Sequence, residues 1–377
     1  MGPLKSSPES FRGSHPQFLN KMQTIALLFG GVSPEHEVSL NSARNIYRAI
    51  DKQRFKVELV GVSHSGTWYH LPEAAFEKAV RVEDGTWPKL ALVPGSERPI
   101  VYADAKGNFP KVDVVFSIIH GPFGEDGTLQ GLLEILNLPY VGAGVAASAI
   151  GMDKDLTKRL LRDAGINVVP WVTLYHHETP DTEAIIAELG LPLFVKPANM
   201  GSSVGISKAN DKAELMAALK TAFQYDVKVL VEKAVKGREL ETAVLGNLEE
   251  VKVSGVGEII VEDGFYDYEA KYISDTAARV VVPAENLAPE DEENIRQTAR
   301  KAYLALGLEG FTRMDVFLTA DGTVYVNEPN TLPGFTNISM YPKLWEAADL
   351  PYSQLIEELI RLGLARYERK RGLLRRK

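Results

Sequence analysis

The sequence predicts a mixed α/β and α+β protein of two or three domains, opening on a mostly parallel sheet covered by helices on both faces. Three observations carry that expectation. At 377 residues the chain exceeds what one hydrophobic core usually organises. In its first third, short apolar runs alternate with helical stretches, the pattern of strands joined by crossover helices. From Val235 onward the chain is richer in strands and closes with amphipathic helices near Glu290 to Leu306 and Tyr352 to Leu364.

Taken in order, TIALLFGG is a buried strand ending in a glycine turn, and Val38 to Ile50 the helix that follows. FKVELVGVS and VDVVFSIIH are further strands, the second leading into the helix DGTLQGLLEILN. Ligands of such sheets collect at the carboxyl ends of the strands. Gly30-Gly31 is not the GxGxxG fingerprint, which argues against a nicotinamide site. Between Pro139 and Met152 the chain turns small and Gly/Ala-rich, marking a first boundary near 145. Asp153 caps a helix, KDLTKRLLRDAG, that stops at Gly165. LPLFVKP, a Gly/Ser loop, a helix and the strand VKVLVEK follow, and a second boundary falls at about 235. Residues 1–22 lack the apolar stretch of a signal peptide and read as a leader or added remnant outside the fold. Residues 366–377 read as a basic, solvated tail.

Composition narrows the chemistry. A chain 45% hydrophobic and 24% charged is that of an ordinary soluble protein, and no apolar run approaches the length needed to span a bilayer. The formal net charge of -8 speaks against nucleic acid as the main partner. With no cysteine there is neither a disulfide nor a thiolate ligand, which suits a cytoplasmic setting and leaves site chemistry to oxygen and nitrogen.

Several stretches place polar groups at strand ends. Lys196 precedes Gly201-Ser202-Ser203-Val204-Gly205, where glycines admit an anion, hydroxyls donate to it and the lysine supplies charge. Alone, such a loop is more often a flexible turn. Glu232 and Lys233 end a strand, with Glu239 beyond; a strand-end acid can accept from an adenine amino group, and the alternative is a charged surface hairpin. His120 ends a strand on a glycine-rich loop, and Glu125 and Asp126 there need no role beyond the helix dipole. Glu37 opens the first helix, and the aromatic, charged stretch 263–283 reads as a lid.

The stretch RMDVFLTADGTVYVNEPN poses an electrostatic question. With Asp321-Gly322 as a two-residue turn, Asp315 faces Glu328 and Arg313 faces Asn330, all on one sheet face. Opposed carboxylates destabilise a ladder. A Mg²⁺ ion removes the conflict, because it accepts one or two carboxylates and an amide oxygen together with substrate phosphates. A three-residue turn would place the two acids on opposite faces, so this reading requires an even-length turn.

Together, GGVSPEHEVSLNS, HGPFGEDGTLQG, MDKDLTKRLLRDAG, LPLFVKPANMGSSVG, VEKAVKGRELE, YEAKYISD, RMDVF and NEPNTLPGFTNISMYP resemble the D-alanine:D-alanine ligases of the ATP-grasp superfamily, from Thr24 to about Leu364. The resemblance implies three domains: a Rossmann-like domain over 23–145, a central ATP-grasp subdomain over 146–235, and a C-terminal one over 236–365. ATP would phosphorylate one D-alanine, and a second would attack the acyl phosphate. By matching position, Lys154, Lys196 and Ser203 would hold phosphates, joined by Lys271 of the lid. Glu232, Lys233 and Val235 would hold adenine, Lys233 through its backbone, and Glu239 ribose. Asp315, Glu328 and Asn330 would bind two Mg²⁺ ions, with Mn²⁺ as an alternative. Glu37 would meet the first ammonium group and connect through Ser202 to Tyr272. Arg313 and the Gly334 amide would stabilise the oxyanion, while Ser339, Met340 and His120 would lie by the second D-alanine.

Two positions depart from the family pattern. Pro329 implies an edge or strand end, and Met340 stands where some relatives carry leucine. Tyr272 favours D-alanine over D-lactate as acceptor. A homodimer is expected. The rival readings are a D-alanine:D-lactate or other ATP-grasp acid:amine ligase, and a catalytically silent nucleotide-binding regulator.

Overall fold

The computed structural model describes residues 22–248, 250–261, 278–336 and 338–373. The expected leader, apart from Met22, therefore lies outside the described residues, as do Lys271 and Tyr272 of the expected lid. In chain order the first elements are β1 (Gln23–Gly30), α1 (His36–Ala49), β2 (Phe55–Val62), β3 (Trp68–His70), α2 (Glu73–Phe76), β4 (Leu90–Leu92), β5 (Ile100–Tyr102), β6 (Val114–Ser117) and α3 (Thr128–Ile135). Strand β1 pairs in parallel with β2 on one side and β6 on the other, and β3 closes the β2 edge antiparallel. Both faces of β1 are covered, which is why TIALLFG is apolar at successive positions. Ile25, Leu27 and Phe29 pack with Leu40, Ala43 and Ile46 of α1, whereas Ala26 and Leu28 pack with Leu129 and Leu133 of α3.

The middle of the chain comprises α4 (Val145–Met152), α5 (Lys154–Asp163), β7 (Trp171–Tyr175), α6 (Thr182–Leu189), β8 (Leu193–Pro197), β9 (Ser207–Ala209), α7 (Lys212–Ala222) and β10 (Lys228–Lys233). Asp153 caps α5 as expected, accepting from the Leu156 N–H at 3.0 Å. The sheet is antiparallel, in the order β7-β10-β8-β9. Leu193, Val195, Val229 and Val231 face Ile185, Leu189, Leu215 and Leu219 of the two helices. By strand alternation Lys196 and Glu232 take the other face.

The remaining elements are β11 (Arg238–Gly246), β12 (Lys252–Val261), β13 (Ala278–Val281), α8 (Pro289–Ala305), β14 (Gly310–Leu318), β15 (Val324–Asn330), α9 (Met340–Glu346) and α10 (Tyr352–Arg371). The sheet order is β13-β12-β11-β14-β15, all antiparallel. Leu240, Met314, Val316 and Val326 pack against Ile295, Ala299 and Tyr303 of α8. The opposite face carries Glu239, Glu241, Arg313 and Asp315, with Glu241 paired to Asp315 across the ladder. Residues 278–281 of the expected lid are strand β13 instead. Pro329 lies on β15, an edge strand, as its missing N–H requires.

The expected two-residue turn is corrected. The loop holds three residues, Ala320-Asp321-Gly322: the Thr319 N–H donates to Thr323 O and the Gly322 N–H to Thr319 O, both at 3.0 Å, with Gly322 at φ +79°. Such a loop alone would set Asp315 and Glu328 on opposite faces. A second irregularity cancels it. Val316 pairs with Val326 but Asp315 pairs with Glu328, so Asn327 is an extra bulged residue. Asp315 thus faces Glu328, and Arg313 faces Asn330, for a different reason from the one expected.

The expected solvated tail is also corrected over its described residues, 366–373. Helix α10 continues to Arg371, and Arg366 is only 2% exposed. Its guanidinium donates to the carbonyls of Tyr140 and Gly142 and lies 4.2 Å from the Tyr140 ring centroid. Arg369 pairs with Glu309 and Lys370 with Glu134, so this basic stretch is an anchor between β6–α4 connections and the last helix. Among the described residues, no helix is long and apolar enough to cross a membrane.

Candidate active site

A cavity of about 790 Å³ opens where the first βα turn, the Gly/Ser loop and the face of β14 and β15 converge. Of the residues expected from sequence, His120, Lys154, Ser202, Arg313, Glu328, Asn330, Gly334, Ser339 and Met340 line it. Glu37 does not; it is exposed. The buried stripe of α1 runs through His36, Ser39, Leu40, Ala43 and Ile46, and Glu37 lies off that stripe. The acid at the cavity is Glu35, 8% exposed, whose carboxylate accepts from the Ser202 hydroxyl. Helical periodicity over HEVSLNSARNI was the available signal. Ser202 and Ser203 both have left-handed backbones, at φ +50° and +58°, which bends the loop there.

Acids and cations alternate across the two facing sheets. Lys154 reaches Glu328 at 3.2 Å and donates to Met200 O at 2.7 Å. Arg313 clasps Asp315 through Nε and Nη2, each at 2.7 Å, and lies 3.1 Å from Glu241. Cations thus offset the opposed carboxylates that the sequence placed face to face. Asn327 projects its Oδ1 to within 3.4 Å of Lys196 Nζ, tying the bulge to β8. Asp315, Glu328 and Asn330 offer two carboxylates and one amide, a hard oxygen set that fits Mg²⁺ completed by water and phosphate oxygens. Among the described residues, no group of three His, Cys, Asp or Glu side chains is placed to hold a metal ion.

At the end of β10, Glu232 is buried between two ammonium groups, Lys196 at 2.8 Å and Lys158 at 3.2 Å. Burial works against its charge, but the two lysines outweigh burial and hold it below the usual carboxylate range. Burial likewise opposes the charge of Lys196, and Glu232 more than restores it. Lys233 is exposed with its N–H given to Pro170 O, Val235 is half-buried, and Glu239 is exposed on the same strand face as Glu241. These residues, expected from sequence to meet adenine and ribose, sit beyond the lining of the cavity.

His120 is buried, and burial pushes its pKa down, so the ring is neutral. Nδ1 donates to Leu332 O at 3.0 Å, which leaves Nε2 to accept from Ser42 Oγ at 3.4 Å. Ser42 Oγ in turn accepts from the Phe335 N–H at 3.3 Å, so this chain holds the loop that carries Gly334. Ser339 Oγ accepts from the Thr336 N–H at 3.0 Å. One carboxyl had been explained away in sequence as a helix-start acid. Glu125 lines the cavity, because α3 begins only at Thr128. Its Oε1 accepts from the Gly121 N–H at 2.6 Å, and burial with help from Glu35 pushes its pKa up to about 8.

The family description "D-ala D-ala ligase N-terminus" matches residues 24–143, and "D-ala D-ala ligase C-terminus" matches 160–361. The D-alanine--D-alanine ligase A of Chromobacterium violaceum is 53% identical over 351 residues, 90% of this chain and 94% of that protein. The structure of the D-alanine-D-alanine ligase from Coxiella burnetii superposes with a TM-score of 0.82 at 37% identity, covering 94% of this chain and 98% of that one. VanG D-Ala:D-Ser ligase from Enterococcus faecalis gives 0.81 at 38% identity, covering 91% and 100%. The Bacillus anthracis D-alanine--D-alanine ligase complexed with ATP gives 0.71 at 28% identity, covering 92% and 99%.

Proposed function

The chain belongs to the D-alanine:D-alanine ligase family, and we propose that it joins two D-alanines to D-alanyl-D-alanine at the expense of ATP. The observation that carries the reading is the single face formed by Arg313, Asp315, Glu328 and Asn330, set against Lys154 and Lys196. The fold is that of the ATP-grasp ligases, and the family matches support a first boundary near 145. Since α10 runs on, the last body extends to 371 rather than 365.

In the first step a carboxylate oxygen of one D-alanine attacks the γ-phosphorus, the bond to the β-phosphate oxygen breaks, and ADP leaves. Lys154, Lys196 and Ser203 hold the phosphates in line, Glu232, Lys233 and Val235 the adenine, and Glu239 the ribose. Glu35, in place of Glu37, holds the first ammonium group, fixed by Ser202. Bound by Asp315, Glu328 and Asn330, two Mg²⁺ or Mn²⁺ ions would neutralise phosphate charge. In the second step the free amine of the other D-alanine attacks the acyl carbon, phosphate departs, and the amine proton is lost. Ser339 meets the second carboxylate beside Met340. Arg313 and the Gly334 N–H stabilise the tetrahedral oxyanion, with His120 holding the Gly334 loop in place. The product is the dipeptide of peptidoglycan precursors, made in the cytoplasm by a homodimer whose mass light scattering would measure.

The test is ADP and phosphate release by purified protein with Mg-ATP and D-alanine, alone or with D-lactate or D-serine, products being identified by mass. D-Alanyl-D-alanine should dominate. A mixed product at neutral pH would promote a different acceptor, and no D-alanine-dependent ADP release would overturn the reading.

A further inference from the structure

Lys158 lies within MDKDLTKRLLRDAG but carries none of the roles read from the sequence, yet it is among the largest fully buried side chains of the described residues. It lies one turn beyond Lys154 on α5. Its ammonium donates to Val169 O at 3.2 Å, stands 3.2 Å from Glu232 Oε1, and is 5.6 Å from the Trp171 ring centroid. Lys196 takes the other oxygen of the same carboxylate at 2.8 Å. One buried acid is therefore shared between two lysines.

With two lysines on one acid, one of them can leave without stranding the charge. A buried carboxylate stripped of its counter-ion is strongly disfavoured. Were Lys196 the sole partner of Glu232, moving it to an ATP phosphate would leave that charge uncompensated, and the cost would be subtracted from ATP affinity. Lys196 already extends beyond the pair, to 3.4 Å from Asn327 on the opposite sheet. Lys158 has no such reach, enclosed as it is by Glu232, Val169 and Trp171.

Resting on the ATP site described under Proposed function, we infer that Lys158 is a positioning residue that keeps Glu232 compensated while Lys196 exchanges its carboxylate partner for a phosphate oxygen. Glu232 then remains an ionised acceptor for the adenine amino group.

The test is a double-mutant cycle on ATP binding, measured by calorimetry on the full chain with Mg²⁺ and without D-alanine: wild type, Lys158→Met, Glu232→Gln, and the double variant. Lys158→Met should weaken ATP binding at least tenfold in the wild-type background and less than threefold in the Glu232→Gln background, where no charge needs compensation. Lost packing or the orphaned Val169 carbonyl would act equally in both backgrounds, and equal factors would overturn the inference. Lys158→Gln, which retains a hydrogen-bond donor without charge, runs the same cycle should the methionine variant not fold; wild-type affinity in Lys158→Gln would also overturn it. Wild-type ATP binding without D-alanine-dependent ADP release would sink the ligase reading and leave this inference standing. Wild type that binds no ATP would sink both.

Discussion

Replacing Glu35 by glutamine isolates one charge. The side chain is buried at the cavity and receives the Ser202 hydroxyl, and glutamine keeps both the size and an acceptor oxygen for that serine. What is lost is the charge proposed to face the first substrate's ammonium group. A hydrogen bond to a charged partner contributes about 1.5–3 kcal/mol, so kcat/KM for D-alanine at the first site should fall roughly 10- to 150-fold. The assay is coupled ADP release at saturating ATP over a D-alanine titration, with thermal unfolding as a control. Glu37→Gln is the matched comparison: an exposed residue outside the cavity lining, whose replacement should change stability by no more than about 0.5 kcal/mol and leave kcat/KM nearly unchanged. Gly121→Ala should mimic the loss at Glu35, because its Cβ would lie 2.8 Å from Glu35 Oε2 at a backbone of φ +75°. If Glu37→Gln lost more activity than Glu35→Gln, or Glu35→Gln lost less than threefold, the assignment of the ammonium site would be wrong.

Asp315→Asn should lower kcat by about 100-fold or more, while chemical denaturation shifts only modestly, because Arg313 keeps Glu241 at 3.1 Å; full turnover would refute the metal-binding face. Arg366→Ala strands two carbonyls, Tyr140 O and Gly142 O, and should cost about 3 kcal/mol or more in urea unfolding, with an unchanged midpoint contradicting the anchor. Glu125 has its folded pKa raised to about 8 against about 4.3 when unfolded. The folded state therefore binds the extra proton, and wild-type stability should fall as pH rises between those values. Glu125→Gln should flatten that slope, and a parallel slope in the variant would show that another group causes it.

How much of this was legible in the sequence depends on what kind of signal each residue leaves. Buried strands and the capped helix α5 were readable because their causes are local: consecutive apolar residues for a sheet covered on both sides, and an Asp at the cap. Glu37 was misread because an acid in a first helical turn looks the same whether or not it faces a site, and only the stripe from His36 to Tyr47 tells them apart. Arg366 was misread because charge in sequence says nothing of carbonyls more than 200 residues away. Lys158 and Glu125 leave no local mark, since burial beside Glu232 or Glu35 is a property of the assembled fold. The β14–β15 hairpin shows the hardest case. Its pairing was read correctly from a wrong turn, because a three-residue loop and the bulge at Asn327 each shift the register by one. A ladder's register is the sum of all its irregularities. A bulge leaves no sequence signature comparable to Asp-Gly, but it has a physical consequence that a regular strand would not supply. Asn327 and Glu328 both oppose Asp315, and both meet lysines, Lys196 and Lys154, from different elements of the facing sheet and helix. The extra residue thus gives one strand two successive contacts across the cleft, where alternation would have allowed one.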